Sequence, residues 1–397
     1  MEEIFQKAVK HNEEMRKPLS SVPWKPDEPH PQPYYVFDHA SQDWVEEQAT
    51  PAEDPDAKHG GDTGSGAAIT RLALYSWNID FMLPHPGPRM RAALAHLESL
   101  ISGSPSAATG VVVYLQECVE SDLAAVGATG WVRERFAVTD RDAVDWASGH
   151  YGTVTLVDRR LLPLAACFRV HYALTRMERD ALFVDVWLRS SSDDNNNDND
   201  NDNDNKSGGD KKKKKKKKLV RLCNTHLESL ADEPPYRPPQ MRLAAAYLRG
   251  ENNPNPVRGG ESESVPYYYY PAVHGALAAG DFNAIQPFDR ALHADNGLRD
   301  AYLESGGRED SDGGYTWGQQ AAPPLRALYG CSRMDKVFFR GGLRLLRFAR
   351  FGADVLLDGD PAGTGAAADL LALGFERPWI TDHLGVMAEV EVVDSID

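Results

Sequence analysis

The chain contains few cysteines and none of the long apolar stretches that cross a membrane. The cysteines, which include no C-x-x-C pair, are Cys118, Cys167, Cys223 and Cys331. This spacing argues against a zinc cage or a disulfide scaffold. No window approaches the roughly 18 apolar residues of a transmembrane helix, and the charged start at residues 1–7 lacks the apolar core of a signal peptide. These absences predict a soluble intracellular protein, in the nucleus or the cytoplasm, with no membrane partner.

Positive charge is in the minority. The sequence has 43 Lys and Arg against 59 Asp and Glu, a formal net charge of −16. This balance argues against a protein that coats duplex nucleic acid with its whole surface, and it leaves room for one local groove. With 42% hydrophobic and 9% aromatic residues, the 397-residue chain has enough apolar material for a core.

One internal segment, residues 190–218, has no apolar residue. It contains seven Asp and nine Lys among Ser, Asn and Gly, and such a composition cannot order itself by burial. We interpret it as a disordered insertion; the alternative is an arm for nuclear import or nucleic-acid contact. Residues 181–188 and 219–226 on its two sides are typical of strands. The insertion is therefore predicted to enlarge the tip of a hairpin within one domain.

The first 67 residues differ from the rest in being rich in proline and acidic residues. Residues 18–33 cannot continue a helix because of their prolines, and residues 59–66 are typical of a flexible linker. Residues 32–38 and 43–45 are apolar enough to dock on the flank of the main domain. The predicted organisation is an N-terminal extension and linker over 1–67, followed by a main domain over 68–397.

The main domain alternates apolar strands with amphipathic helices. Residues 72–78, 110–117 and 275–281 are typical of strands, and residues 89–101 and 241–248 have helical spacing. Polar residues recur where strands end: Asn78, Asp80, Glu117, His226, Asp281, Asn283, Asp382 and His383. Each alone is typical of a cap or a turn, but sites in α/β sheets gather outside strand ends. The recurrence predicts one active site.

Six motifs lie in order along residues 72–393. They are Ser76-Trp-Asn-Ile-Asp80, Leu115-Gln-Glu117, Thr225-His-Leu-Glu-Ser229, Gly280-Asp-Phe-Asn283, Arg333-Met-Asp335 and Thr381-Asp-His383. Together they resemble the endonuclease/exonuclease/phosphatase superfamily, which includes apurinic endonucleases, deoxyribonuclease I and inositol-polyphosphate phosphatases. The resemblance implies an α/β fold, a four-layer sandwich of two packed β-sheets flanked by helices. It also implies that domain 68–397 is catalytic.

Within the superfamily the chain is most similar to the tyrosyl-DNA phosphodiesterase 2 branch. Residues 225–229 with Arg237 and Gln240, residues 315–318 and residues 333–339 resemble motifs of that branch. Apurinic endonucleases carry a tyrosine where His226 stands. The chain departs from the branch in the residues just before His226 and at Thr381, which replaces a serine. Its N-terminal region contains nothing typical of a ubiquitin-binding helical module.

This resemblance implies a metal-dependent phosphodiesterase that uses Mg²⁺, with Mn²⁺ as a substitute. Its implied partners are single-stranded or frayed DNA 5′ ends with tyrosyl adducts, and its product is a 5′-phosphate. A general nuclease and a phosphatase for small, inositol-type molecules are alternatives with the same site. A non-catalytic scaffold is a third hypothesis.

Hydrolysis of a phosphodiester needs neutralised phosphate oxygens and an activated water. Glu117 is the strongest candidate metal ligand because Mg²⁺ takes one or two carboxylates, and Asp80 and Asp382 are expected partners around it. Asp281 is the expected general base. Asn283, two residues on in an extended segment, is expected to lie on the same side and hold the attacking water.

The remaining roles concern donors and substrate contacts. His383 is expected to donate to a phosphoryl oxygen, with Asp335 fixing its tautomer. Expected to assist at the phosphate are His226 (alternatively a core histidine), Asn78 and Ser229. By resemblance, Tyr151 and Arg179 match a tyrosine and an arginine beside the substrate tyrosine, although Arg179 alternatively is an exposed strand-end charge. Trp317 either walls the strand groove or belongs to the core.

Overall fold

The computed structural model describes residues 24–49, 69–103, 108–161, 164–190, 217–252, 270–357 and 365–394. Their strands form a seven-stranded and an eight-stranded sheet. In spatial order the first contains β1 (Pro29–Pro31), β8 (Leu164–His171), β9 (Asp180–Arg189), β10 (Lys217–Thr225), β11 (Val273–Asp281), β13 (Asp335–Gly341) and β12 (Arg299–Asp300). The second contains β14 (Leu343–Phe351), β15 (Gly385–Val392), β4 (Arg71–Asn78), β5 (Thr109–Cys118), β7 (Gly152–Asp158), β6 (Phe136–Val138), β2 (Tyr34–Asp38) and β3 (Asp43–Glu47).

Helices lie outside the two sheets. They are α1 (Pro86–Ser102), α2 (Glu120–Ala128), α3 (Gly130–Arg135), α4 (Arg237–Leu248), α5 (Ala301–Glu304), α6 (Pro323–Tyr329) and α7 (Ala366–Ala372), with short 3₁₀ helices at Arg159–Leu161, Pro287–Ala291 and Ala294–Asn296. Three apolar clusters separate the layers. One lies between the sheets, one between the eight-stranded sheet and α1, and one between the seven-stranded sheet and α4. The predicted four-layer α/β sandwich is confirmed.

The strand β4 shows why its sequence suits the middle of this sandwich. Leu72 and Leu74 point into the cluster between the sheets, and the alternate side chains Tyr75 and Trp77 point into the cluster beneath α1. Successive side chains of a strand face opposite sides, so both faces of β4 have to be apolar. Residues predicted as strands at 72–78, 110–117 and 275–281 are in β4, β5 and β11, and the predicted helices are in α1 and α4.

Two parallel pairs of strands set the position of the site. β4 pairs in parallel with β5, and β10 pairs in parallel with β11. The carboxyl ends of parallel strands meet at one edge of a sheet, and the two sheets present these edges at the same end of the sandwich. Between the sheets, Gln116 Nε2 donates to Asn224 Oδ1 at 2.8 Å. This buried contact links β5 to β10 just below that end.

The N-terminal residues 24–49 contribute strands to both sheets. β1 pairs with β8 in the seven-stranded sheet, and β2 pairs with β6 and β3 in the eight-stranded sheet. The chain crosses between the sheets at Gln32, which donates to Thr139 O at 2.9 Å and accepts from Arg169 Nε at 3.2 Å. We name residues 24–49 the N-terminal strap. Docking of this part of the extension thus takes the form of strand pairing; residues 1–23 and 50–68 lie outside the described residues.

The low-complexity segment begins and ends at a hairpin. β9 and β10 are antiparallel neighbours, and Lys217 pairs with Arg189 at their far end, in agreement with the hairpin predicted from the sequence. Ser190 is buried and Lys217 and Lys218 belong to β10, so ordered structure extends into the predicted insertion at both ends. Its interior, residues 191–216, lies outside the described residues. No helix in the described part of the chain is long and apolar enough to cross a membrane.

Candidate active site

A cleft of about 1410 Å³ opens where the parallel strands end. The predicted site residues that line it are Asp80, Glu117, Arg179, His226, Ser229, Asp281, Asn283, Trp317, Asp382 and His383. The other three lie behind it. Asn78 and Asp335 contact cleft-lining side chains directly, and the ring of Tyr151 lies beneath Arg179.

Left-handed backbone conformations turn the chain at the strand ends. Asp80 has φ 58°, Glu117 has φ 58° and Asn283 has φ 47°. Such conformations are uncommon for residues with a Cβ, and they concentrate at functional sites. Just before Asp281, Gly280 has φ 148°, and a Cβ there would lie 1.8 Å from Thr225 O. Only glycine allows β11 to approach β10 so closely at the position where the cleft begins.

His226 lies between two carboxylates and an arginine. Its Nε2 is 3.6 Å from Glu117 Oε1 and 3.4 Å from Asp281 Oδ2, and Arg179 Nη1 is 2.5 Å from its Nδ1. Because a guanidinium only donates, Nδ1 accepts and Nε2 carries the hydrogen. Burial, and then the charge of Arg179, lowers the pKa of His226, so the ring is neutral. Nε2 has no hydrogen-bond partner among the described residues.

Asp281 is held as an ionised acceptor. Asn78 Nδ2 donates to its Oδ2 at 3.0 Å, and the amide of Asn283 donates to its Oδ1 at 2.8 Å. Burial favours the protonated acid, but His383, His226 and the Asn283 amide together hold the pKa of Asp281 well below its usual range. Hydrogen bonds to the charged form have this effect.

His383 and Asp335 form the pair that the sequence places together. His383 Nδ1 lies 2.9 Å from Asp335 Oδ2, which leaves Nε2 directed at the cleft, 3.8 Å from Asp281 Oδ2. Burial alone would lower the pKa of His383, but Asp335 and Asp281 raise it well above the usual value. The imidazole is therefore a protonated donor at neutral pH.

Further carboxylates lie close to one another in the cleft. Desolvation, followed by the charges of Asp382 and Glu117, raises the pKa of Asp80 to about 8. Desolvation also raises the pKa of Asp382, although Trp317 Nε1 donates to its Oδ2 at 2.6 Å. A bound divalent cation would offset this repulsion, and oxygen ligands are those that Mg²⁺ prefers. The residues therefore fit a hard cation.

The structure groups the candidate ligands differently from the sequence. Ligand atoms of Glu117, His226 and Asp281 lie within 4.8 Å of one another, as do those of Asp281, Asp335 and His383. Asp80 and Asp382, predicted beside Glu117 as metal partners, are in neither group. Asp80 Oδ1 instead accepts from the amide of Met82 at 3.0 Å. Asp281 is the residue that the two groups share.

Arg179 and Tyr151 lie together, as the resemblance implies. The guanidinium carbon of Arg179 is 4.9 Å from the centroid of the Tyr151 ring. Tyr151 donates to Met177 O at 2.8 Å, and burial raises its pKa to about 12. Arg179 is buried at 5% exposure, so the alternative of an exposed strand-end charge is wrong. Its Nε has no partner among the described residues.

Asn283 departs from its predicted geometry. β11 ends at Asp281, and the left-handed conformation of Asn283 replaces the expected extended segment. Asn283 still lines the cleft, with Nδ2 donating to Leu227 O at 3.0 Å. A two-residue spacing predicts the same side only while the strand continues. Trp317 is partly buried in the cleft wall, which corresponds to the groove alternative.

Three supporting residues were not predicted as part of the site. Thr316 Oγ1 accepts from the amide of Asp335 at 2.9 Å. Thr381 Oγ1 donates to Asn78 O at 2.9 Å and accepts from the amide of His383 at 3.2 Å. Both threonines stand inside motifs that the sequence singles out, which is the signal that identifies them. Arg89, in the first turn of α1, carries no such signal.

The outer part of the cleft is apolar and has few cations. Leu325, Leu328 and Tyr329 of α6, which we name the apolar wall, line it and are exposed at 37%, 61% and 68%. Arg290 and Arg333 also line it, but each is paired with a carboxylate, Arg290 with Asp310 and Arg333 with Glu309. Exposed apolar patches of this kind mark binding surfaces.

The chain is similar to known proteins in sequence pattern and in fold. The model of the Endonuclease/Exonuclease/phosphatase family matches residues 75–383. A humanized D. rerio TDP2 with 14 mutations is 16% identical at TM-score 0.51, over 81% of this chain and 99% of that chain. D. rerio TDP2 complexed with a single-strand DNA product is 15% identical at TM-score 0.51, over 81% and 99%. A truncated Caenorhabditis elegans TDP2 is 18% identical at TM-score 0.49, over 81% and 98%. A search among curated proteins finds no match.

Proposed function

Because the chain belongs to the endonuclease/exonuclease/phosphatase family, we propose that it hydrolyses the phosphotyrosyl bond at DNA 5′ ends with Mg²⁺ and leaves a 5′-phosphate. The match confirms the superfamily that the six motifs predict, and with its family the chain is a metal-dependent phosphoric-diester hydrolase. The tyrosyl substrate, the DNA end and the choice of Mg²⁺ are what the proposal adds. They rest on the contents of the cleft.

One arrangement carries the proposal. Asp281 is shared between the group that contains Glu117 and the group that contains His383, with Arg179 buried alongside. The proposal is supported by the closeness of an oxygen-ligand group, an ionised acceptor and a protonated donor. Hydrolysis of a phosphodiester needs these three functions at one phosphorus atom.

Each of these residues has a defined proton state. His383 donates from Nε2 to a phosphoryl oxygen, and its pair with Asp335 keeps it protonated. Asp281 accepts a hydrogen bond from the attacking water and orients it, and His226 offers its Nε2 hydrogen. Mg²⁺, when bound, would neutralise phosphate oxygens and lower the pKa of water. Glu117 is the carboxylate proposed to hold it.

The environment of the leaving group favours a phenol. Arg179 presents a guanidinium whose Nε is unused by the described residues, above the neutral Tyr151 ring. A cation near an aromatic face is worth roughly 0.5–2 kcal/mol, enough to orient a substrate tyrosine beside Tyr151. The same guanidinium lies against His226, so the leaving group and the phosphate are positioned together.

The outer cleft favours a strand with exposed bases over a small polyphosphate. Bases stack on aromatic side chains at roughly 1–3 kcal/mol each, and the apolar wall offers Tyr329 for this purpose. One D. rerio TDP2 structure of the same fold contains a single-strand DNA product. An inositol polyphosphate would need several free cations, whereas Arg290 and Arg333 are already neutralised. This observation disfavours the phosphatase alternative.

A three-substrate comparison tests the proposal. A 5′-phosphotyrosyl oligonucleotide, an abasic duplex and an inositol phosphate are incubated with Mg²⁺ and with EDTA. We expect Mg²⁺-dependent turnover of the first, with a 5′-phosphate product. Glu117→Ala and Asp281→Asn should each lower kcat by at least about 10²-fold while the protein stays folded. Preferential turnover of either other substrate would contradict the proposed specificity, and near-full activity in either variant would contradict the assigned role.

Arg179→Ala separates recognition of the leaving group from the phosphoryl chemistry. The variant should lose more activity on the tyrosyl oligonucleotide than on a chromogenic phosphodiester with a better leaving group. Arg176→Ala is the matched control, because Arg176 lies in the same loop with its side chain mainly exposed and paired with Asp232. Equal losses on both substrates would remove the proposed role of Arg179.

A further inference from the structure

All the side-chain N–H groups of Arg89 donate to backbone carbonyls of two active-site segments. Nε donates to Pro84 O at 3.0 Å, and Nη2 donates to Asp80 O at 2.8 Å and to Leu83 O at 3.0 Å. Nη1 donates to Ile380 O at 2.8 Å and also to Ile79 O. A guanidinium has five N–H donors, and each has an acceptor here.

The position of Arg89 is unfavourable for an ordinary structural arginine. It is fully buried, at 0% exposure, and no carboxylate among the described residues lies within ion-pair distance of it. It also occupies the first turn of α1, which contains no acidic residue, where the helix dipole disfavours a cation. Burial of an unpaired charge costs stability, so a compensating role is expected.

One of the segments that Arg89 joins contacts the proposed metal ligand, Glu117. Residues 79–84 include Asp80 and also Phe81, whose amide donates to Glu117 Oε2 at 3.0 Å. Ile380 precedes Asp382 and His383. A single side chain therefore joins the loop after β4, which contains Asp80, to the loop before β15, which contains Asp382.

We propose that Arg89 is a positioning residue for the metal site: its five hydrogen bonds hold residues 79–84 against Ile380 and so fix the Phe81 amide that orients Glu117. The role rests on the proposed function, since it concerns the same site. A lysine has three donors on a compact ammonium and cannot span five carbonyls. Arg89→Lys therefore keeps the positive charge and removes the clamp.

Calorimetric titration of metal-free protein with Mg²⁺ tests the role without turnover. Loss of groups that orient metal ligands typically weakens metal binding by roughly 10- to 100-fold, and we expect a loss in this range for Arg89→Lys. Arg91→Lys is the matched control, because Arg91 is exposed two residues on in α1; it should bind Mg²⁺ like the wild type. At saturating Mg²⁺ the kcat of Arg89→Lys should recover to within about threefold of the wild type.

An Arg89→Lys protein that binds Mg²⁺ as tightly as Arg91→Lys would overturn the proposal. If Arg89→Lys does not fold, NMR of the Arg89 Nε–H in the wild type decides: a resolved, slowly exchanging signal that shifts with Mg²⁺ supports the clamp, and a signal unchanged at saturating Mg²⁺ contradicts it. Failure of the proposed function is seen separately. A wild type that binds Mg²⁺ but does not cleave the phosphotyrosyl oligonucleotide loses its substrate assignment and keeps the Arg89 result.

Discussion

Asp80 combines a left-handed backbone with an acid that is protonated at neutral pH. Desolvation and the charges of Asp382 and Glu117 raise its pKa to about 8. In the metal-free protein, the stability that comes from protonation of Asp80 is therefore fully present below about pH 4 and is lost as the pH rises through about 8. We predict that Mg²⁺ binding at pH 7 releases about one proton, measured by calorimetry in buffers of different ionisation enthalpy. Asp80→Asn should abolish the release, and Asp310→Asn on the cleft rim should retain it. Equal proton release in both variants would contradict the assignment.

If His383 donates to a phosphoryl oxygen as proposed, the His383–Asp335 pair should set the alkaline limit of the reaction. The pKa of His383 is raised, so the imidazole is fully protonated below about pH 6.5, the ordinary pKa of histidine. It loses its proton only as the pH rises through the raised pKa. Asp335→Asn removes the main charge that supports the imidazolium. We expect the alkaline limb of kcat/KM to move to lower pH and kcat at neutral pH to fall by about 10²-fold. An unchanged pH profile with lower kcat would show that Asp335 acts only on folding, which a melting curve checks.

Site residues that belong to a sequence motif could be predicted. Those that are identified only by their contacts in the folded structure could not. Glu117 and Asp281 lie at the ends of strand-like runs and His383 lies just before one, so local pattern is enough to find them. Arg89 appears in the sequence as one polar residue in an amphipathic helix, because its five acceptors are backbone atoms that no motif encodes. The grouping of Glu117 with His226 also needed coordinates, since the two residues lie on different sheets.

At the scale of elements, the strand pairing of the N-terminal strap could not be predicted from local sequence patterns. The continuous apolar run in Tyr34–Asp38 suits a strand, but the prolines around it favour an extension. Pairing partners more than a hundred residues away along the chain, β6 and β8, decide the outcome. The strands β4, β5 and β11 were predictable because each is a continuous apolar run. Sheet order was not predicted, since the family resemblance implied only the four-layer sandwich.

The strap predicts a measurable stability. Phe37 is 3% exposed and packs against Trp44 at a ring distance of 5.5 Å. Truncation of a buried phenylalanine typically costs about 3–5 kcal/mol, so Phe37→Ala should lower the free energy of unfolding in urea by this amount, in one cooperative transition. Val45→Ala in β3, at a side chain that is 45% exposed, should change it by less than about 0.5 kcal/mol. A separate early transition in Phe37→Ala would mean that the strap folds apart from the sheets.

At the scale of the molecule, the low-complexity segment joins the fold at the end of β9 and β10 opposite to the cleft. The cleft lies at one end of β9 and β10, and residues 191–216 connect the other end. β9 has 10 residues, so the two ends are separated by about 30 Å, well beyond the Debye length of about 8 Å at physiological salt. Residues 191–216 contain seven Asp and seven Lys. Their removal leaves the net charge at −16.

Replacing residues 191–216 with a three-residue glycine-containing turn should therefore leave kcat/KM on a short phosphotyrosyl oligonucleotide within about twofold. Ser190, Lys217 and Lys218 are retained because ordered structure includes them. The shorter loop should raise the free energy of unfolding by about 2 kcal/mol through its lower closure entropy. The same variant assayed on a long single strand at two salt concentrations distinguishes the alternatives for the lysine run. A nucleic-acid-contacting arm would show as a salt-sensitive loss of affinity on the long strand only, whereas a solvated insertion leaves both substrates unchanged.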